Sequence, residues 1–101
     1  MLSLMAMSPR LLRPRRRITV PGAPAITVAD GSSGVLAWTA PASNGGSVIT
    51  NYRIYEDGFF IDQVNGDVVT WPSIVGPGAG YEVSAVNAVG EGPKSAAVIA
   101  S

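Results

Sequence analysis

The 101-residue chain contains no cysteine, no histidine and only one lysine. Without cysteine it has neither a disulfide framework nor a thiolate nucleophile. Without histidine it has no imidazole base and no histidine ligand for zinc. Charged residues make up 14% of the chain, well below the ~25% of an average domain. We therefore expect no enzyme activity, no catalytic residue, no metal site and no cofactor.

What the chain does contain is typical of one small, turn-rich domain. Hydrophobic residues make up 47% of it, and it has 12 glycines and 8 prolines. This length allows a single hydrophobic core. The apolar fraction is too high for a disordered protein over most of its length.

The net charge of zero conceals a strong asymmetry. Residues 1–17 contain five arginines and no acidic residue, a formal charge of +5. Residues 18–101 contain two basic and seven acidic residues, a formal charge of −5. Such a division indicates an N-terminal segment with its own role or its own partner. We therefore divide the chain into a non-globular arm, residues 1–19, and a domain, residues 20–101.

The arm is expected to be extended, because Pro9 and Pro14 interrupt any helix and its like charges repel one another. Its apolar start, residues 1–7, is too short to span a membrane, and the charges follow it rather than precede it as in a secretory signal. Three interpretations remain open. The arm is a solvated tail, or it binds another protein subunit or a phosphate-bearing surface through arginine forks and apolar side chains. The third, binding to a membrane surface, is disfavoured because the prolines interrupt an amphipathic helix. The candidate partner-binding residues are Leu2, Leu4, Met5, Met7, Arg10, Leu11, Leu12, Arg13, Arg15, Arg16 and Arg17.

From residue 18 onward, short apolar runs alternate with turn signals, which is typical of an all-β sandwich. The predicted strands are residues 25–29, 35–39, 48–56, 59–64, 67–71, 81–88 and 94–100. Asp57-Gly58 and Asn65-Gly66 both fit two-residue hairpin turns. Strand alternation places one set of large side chains on a common buried face. The predicted core residues are Leu36, Trp38, Tyr52, Ile54, Tyr81 and Val83.

Four segments in order resemble a fibronectin type III domain: VPGAP at 20–24, LAWTAP at 36–41, NGGSVITNYRIY at 44–55 and VNAVGEGPKS at 86–95. The resemblance covers about 80 residues and implies a seven-stranded, two-sheet Greek-key sandwich. One departure concerns the family's corner tyrosine, whose usual position holds Ala79. Tyr81 follows two residues later, and we expect it to fill the core. The loop 89–93 lacks the Arg-Gly-Asp of integrin-binding members.

Three further groups of residues are candidate sites. Tyr55, Phe59 and Phe60 form a surface patch if the two phenylalanines face outward, but we favour packing of one in the core and the other under a loop. Asp57, Asp62 and Asp67 lack the dense spacing of a calcium loop, so turn and surface roles are expected. The serines have no histidine to activate them.

The resemblance and the arm together predict a non-enzymatic structural or decoration protein of a large assembly. Short proteins of this shape resemble phage virion components, so we expect a head, tail or fibre accessory located in the virion. Its partners would be capsid or tail proteins, or further copies of itself. The alternative is a protein- or glycan-binding module of a secreted or cell-surface protein. A third hypothesis, contact with nucleic acid, is disfavoured because the arm has no aromatic residue for stacking. The first and last strands, at the sheet edges, could also extend a partner's sheet.

Overall fold

The computed structural model describes residues 17–71 and 75–101 and shows an all-β sandwich, as the sequence predicts. Its strands are β1 (Ala25–Asp30), β2 (Val35–Thr39), β3 (Asn51–Glu56), β4 (Phe59–Asn65), β5 (Thr70–Trp71), β6 (Gly80–Val86) and β7 (Val98–Ile99). One sheet has the order β1-β2-β5 and the other β4-β3-β6-β7, with antiparallel pairing throughout. The described residues include no helix that could cross a membrane. The arm residues 1–16 lie outside the described part of the chain.

The β3–β4 hairpin has the predicted two-residue turn. Asp57 and Gly58 have φ angles of 50° and 88°, and positive φ at both positions is what a type I′ turn requires. Asp57 Oδ1 also accepts a hydrogen bond from the Gly80 amide at 2.9 Å. The turn is thereby tied to the start of β6.

The second predicted hairpin, at Asn65-Gly66, is wrong. β4 and β5 belong to different sheets, so the chain crosses the sandwich after Asn65 instead of turning back on β4. The Gly66 amide donates to the Thr50 carbonyl at 2.9 Å. A Cβ on Gly66 would lie 2.0 Å from the Ile49 carbonyl oxygen, so glycine is required here by a close backbone approach.

Four predicted strands are longer than the observed ones. β3 begins at Asn51, β5 comprises only Thr70–Trp71, β6 ends at Val86, and β7 comprises only Val98–Ile99. Pro93 has no amide to donate to a ladder. Instead of a continuous ladder, individual hydrogen bonds join the segment before β7 to β6. They run from the Gly92 amide to the Ala85 carbonyl and from the Ser95 amide to the Val83 carbonyl.

The core lies between the two sheets. All six predicted core side chains are buried, with exposed fractions of 2% or less. Trp38 and Tyr52 meet edge to face, with ring centroids 5.5 Å apart. Trp71, Val75 and Ala100 join the same cluster, so residues from both sheets close it.

Tyr81 fills the core, as expected, and its hydroxyl also makes two hydrogen bonds. The hydroxyl accepts from the Gly76 amide at 2.7 Å and donates to Glu56 Oε2 at 2.5 Å. Burial and the bond to Glu56 raise the pKa of Tyr81. Tyr81 therefore holds the connection before β6 in place. It lies two residues after Ala79, which occupies the usual position of the corner tyrosine in the fibronectin type III pattern.

Candidate binding surface

The outer face of the four-stranded sheet carries a compact cluster of polar and aromatic side chains. Tyr52 and Ile54 of β3 point into the core, so their neighbours Arg53 and Tyr55 point outward. Ser84 lies opposite Arg53 on β6, and Phe60 lies opposite Tyr55 on β4. We call Arg53, Tyr55, Phe60, Ser84, Glu91 and Lys94 the outer-face cluster.

Glu91 is the centre of the outer-face cluster. Its carboxylate accepts hydrogen bonds from the Tyr55 and Ser84 hydroxyls and pairs with Arg53 Nη1 at 3.3 Å. Partial burial acts to raise its pKa, but the two hydroxyl bonds and the charges of Arg53 and Lys94 outweigh burial, so the pKa of Glu91 is lowered. Conversely, burial and the contact with Glu91 raise the pKa of Tyr55.

Both basic side chains of the domain stack on aromatic rings of this face. The Arg53 guanidinium lies 4.3 Å from the Phe60 ring centroid, and Lys94 Nζ lies 4.0 Å from that of Tyr55. The Tyr55 and Phe60 rings also meet edge to face at 5.9 Å. Contacts of this kind contribute about 0.5–1 kcal/mol each at exposed positions. They hold the cluster in one arrangement.

The two phenylalanines face solvent. The exposed fraction is 74% for Phe59, 46% for Phe60 and 38% for the following Ile61. The favoured interpretation, with one ring in the core and the other under a loop, was wrong. The reason is that β4 is an edge strand, so its side chains lie at the rim of the sandwich.

Tyr55, assigned to this patch by the sequence, does not lie at the surface. Only 8% of it is exposed, because Lys94 and Phe60 cover its ring. Its role is to support the patch from beneath. Phe60 lies on the outer face with Tyr55, and Phe59 lies opposite Glu56 on the other side of the strand. Phe59, Phe60 and Ile61 are the exposed apolar side chains of this edge, and we call them the β4 patch.

The three aspartates around β4 have separate positions. Asp57 holds the β3–β4 turn, whereas Asp62 Oδ2 accepts from Trp71 Nε1 at 2.8 Å. The bond from Trp71, followed by that from the Gln63 amide, lowers the pKa of Asp62. Asp67 is exposed in the crossing between the sheets. Among residues 17–71 and 75–101, no group of acidic side chains could hold a metal ion.

The described chain starts at Arg17, beside the loop that precedes β3. The Thr19 amide donates to the Gly45 carbonyl at 2.9 Å, and Asn87 Nδ2 donates to the Thr19 carbonyl at 2.7 Å. The other predicted partner-binding residues, from Leu2 to Arg16, lie outside the described residues. The arm thus joins the sandwich at the end opposite the β3–β4 turn.

An open groove of about 610 Å³ lies near this arm end. It runs between Pro41 and Asn44 of the loop and the side chains of Val48 and Tyr52. No aspartate, glutamate, lysine or arginine lines it. The groove therefore offers apolar and amide contacts but no charged group for orienting a ligand.

Comparison with solved structures identifies several that are similar to the sandwich. A crystal structure of a multi-domain titin fragment matches 81% of the chain at 28% identity, with a TM-score of 0.58. The titin kinase with its flanking domains matches 80% at 29% identity, with a TM-score of 0.58. The twitchin kinase region from C. elegans matches 79% at 22% identity, with a TM-score of 0.61. No protein-family model and no curated protein matches.

The chain spans 33% of the length of the titin fragment and 17% and 16% of the two kinase-containing structures. The strand order and these similar structures define a fibronectin type III-like sandwich module. Modules of this class are typically non-catalytic and generally bind other proteins.

Proposed function

We propose that this module is a structural component of a large protein assembly, held by residues 1–19 and presenting its sandwich to neighbouring subunits. The β4 patch is the observation that carries the proposal. It presents Phe59, Phe60 and Ile61 on one edge strand, and aromatic side chains are frequent anchors of protein interfaces. The outer-face cluster keeps Phe60 oriented, so less side-chain conformational entropy is lost when a partner binds.

The charge asymmetry supports attachment through the arm. Five arginines precede a domain with a formal charge of −5, and an arginine fork can bind a carboxylate through two hydrogen bonds. The particular assembly we propose is a phage particle, in which the chain would be a head, tail or fibre accessory. This last step rests on the combination of one small sandwich with a basic arm, an architecture that resembles small virion components.

Site-specific photo-cross-linking of the full chain in its native assembly tests the proposal. A photoreactive residue replaces Phe59 or Leu12, and the control replaces Thr27, an exposed residue of β1 in the other sheet. We expect one protein to be cross-linked in high yield from Leu12 and from Phe59, but not from Thr27. A particle protein as the cross-linked species supports the virion assignment, whereas a cell-surface protein or glycan supports the alternative. Equal yields at all three positions would contradict the proposal.

A further inference from the structure

The end of the sandwich that carries the β3–β4 turn exposes apolar side chains on both edge strands of the four-stranded sheet. Phe59 of β4 is 74% exposed and Ile99 of β7 is 65% exposed. Phe59 lies opposite Glu56, and Ile99 lies opposite Gly80. Since the sheet order is β4-β3-β6-β7, the two strands lie about 14 Å apart, or three strand spacings. Phe59 is on the side of the sheet that carries Glu56 and Tyr81, and Ile99 is on the outer side with Gly80, so together they make both sides of this end apolar.

Carboxylates surround these two apolar side chains. Glu56 and Asp57 lie at the β3–β4 turn. Glu82 lies on β6, one residue farther from that turn than Tyr81, the partner of Glu56. Asp30 lies at the same end of the other sheet. The bonds from the Ser32 side chain and amide lower the pKa of Asp30 to about 2. We call Asp30, Glu56, Asp57 and Glu82, together with Phe59 and Ile99, the acidic end.

Among residues 17–71 and 75–101, no basic side chain forms an ion pair with a carboxylate of the acidic end. Arg53 and Lys94 are the only basic residues after residue 17. Arg53 pairs with Glu91, and Lys94 lies over Tyr55. The surface therefore combines apolar contact area with negative charge, which is complementary to a segment that is both apolar and basic.

The arm of this chain has that composition, and it joins the sandwich at the opposite end. Arg17 is exposed, and its carbonyl lies near Gly46. The length of β3 separates Gly46 from the β3–β4 turn, about 17–20 Å for six residues. Arg17 is thus kept away from the acidic end of its own copy. The acidic end of another copy can approach it directly.

We propose that residues 1–17 of one copy bind the acidic end of a second copy, so that the chains associate head to tail. The leucines and methionines of the arm would cover Phe59 and Ile99, and its arginines would pair with the surrounding carboxylates. This inference rests on the proposed function of the arm and names its partner as another copy of the chain. Residues 1–17 of the arm form the donor surface, and the acidic end is the acceptor surface. Because the two differ, each added copy leaves one free arm and one free acidic end. Association therefore continues beyond a dimer unless the copies close into a ring.

Sedimentation velocity of the full chain tests the proposal. We expect oligomers larger than dimers that grow with concentration, and dissociation when the salt concentration is raised, because salt screens exposed charge pairs. The donor variant combines Arg15→Glu, Arg16→Glu and Arg17→Glu, and it should be monomeric. Wild-type chain that remains monomeric at low salt, or a donor variant that associates as strongly as wild type, would overturn the proposal.

The acceptor variant is Phe59→Ser, whose matched control is Val28→Ser, a 40% exposed position on β1 away from both ends. We expect Phe59→Ser to weaken association about tenfold or more, as truncation of an aromatic anchor does, and Val28→Ser to leave it unchanged. Asp57→Asn removes one negative charge of the acidic end but keeps a residue that tolerates positive φ. It should weaken association less than Phe59→Ser does. Thermal unfolding of each variant checks the fold. Equal loss in Phe59→Ser and Val28→Ser would refute the assignment of the acidic end.

Mixing donor and acceptor variants distinguishes exchange between copies from binding within one copy. For this test the acceptor variant combines Phe59→Ser with Asp57→Asn. An equimolar mixture should form a one-to-one dimer that does not grow, since each variant retains one intact surface. If the mixture remains monomeric, head-to-tail pairing is refuted. The proposed function would still stand if Leu12 cross-links a different protein, and would fail if Leu12 and Thr27 give equal yields.

Discussion

The two faces of the four-stranded sheet are built from alternate residues of the same strands, yet different interactions hold them. On the inner face, Tyr52, Ile54 and Val83 are 1% exposed or less and pack in the core. On the outer face, Arg53 and Tyr55 are held by a carboxylate and by ring contacts. The free energy of unfolding therefore depends mainly on the inner face. The outer face can carry residues that serve binding with little loss of stability.

The largest effect is expected from removing apolar volume on the inner face. Ile54 is completely buried, so Ile54→Ala should lower the free energy of unfolding by about 2–5 kcal/mol through lost burial and a residual cavity. Chemical denaturation measures this change. The neighbouring outer-face variant Arg53→Ala is the control, and an equal loss there would contradict the difference between the faces.

The next effect concerns the inner-face tyrosine that makes polar contacts. Tyr81→Phe keeps the ring but removes the hydroxyl that bonds the Gly76 amide and Glu56. We expect a loss of about 1–2 kcal/mol, because a half-buried amide and a carboxylate lose their partner. Tyr52→Phe is a suitable comparison. If Tyr81→Phe were neutral, the tyrosine would act as an apolar core residue alone.

Glu91→Gln tests the outer face. The lowered pKa of Glu91 means that its charged form is favoured in the folded state. Its contribution is therefore complete above the ordinary value of 4.5 and is lost as the pH falls through the lowered folded value. We expect the variant to lose about 1 kcal/mol at pH 7, a value reduced by partial solvent exposure. Denaturation at pH 7 and below pH 4 should show the difference shrinking with acidity; a constant difference would contradict it.

The smallest effect on stability is expected at the β4 patch. Phe60→Ala removes the contacts with Arg53 and Tyr55 and should cost about 0.5–1 kcal/mol. Phe59, which is 74% exposed, should change stability by less than about 0.5 kcal/mol when replaced by serine. Thermal unfolding measures both. A larger loss in Phe59→Ser would mean that this ring supports the fold rather than a partner.

Most of the fold could be predicted from local sequence. Alternation in residues 35–39 and 51–56 identified the buried positions, because a strand directs successive side chains to opposite faces. Asp57-Gly58 specified its turn through positive φ. Asn65-Gly66 has the same local chemistry but no hairpin, because the path after it depends on which sheet accepts the next strand.

The candidate surface was predicted only in part. Adjacency marks Phe59 and Phe60 as a pair, but it does not reveal that their strand lies at an edge. No feature of the sequence marks Glu91, although it organises the outer-face cluster. It lies 38 residues from Arg53 and 36 from Tyr55 along the chain, and no local pattern signals contacts at that range.

By itself, the sequence determined the all-β class, the identity of the core residues and the separation of positive from negative charge. These follow from composition and from a two-residue period, which act over short distances along the chain. The tertiary structure decided which strand became an edge, which carboxylate met Tyr55 and Arg53, and which end of the sandwich became acidic. Those outcomes depend on strand order, since the order of strands in a sheet brings distant residues together regardless of their separation in sequence.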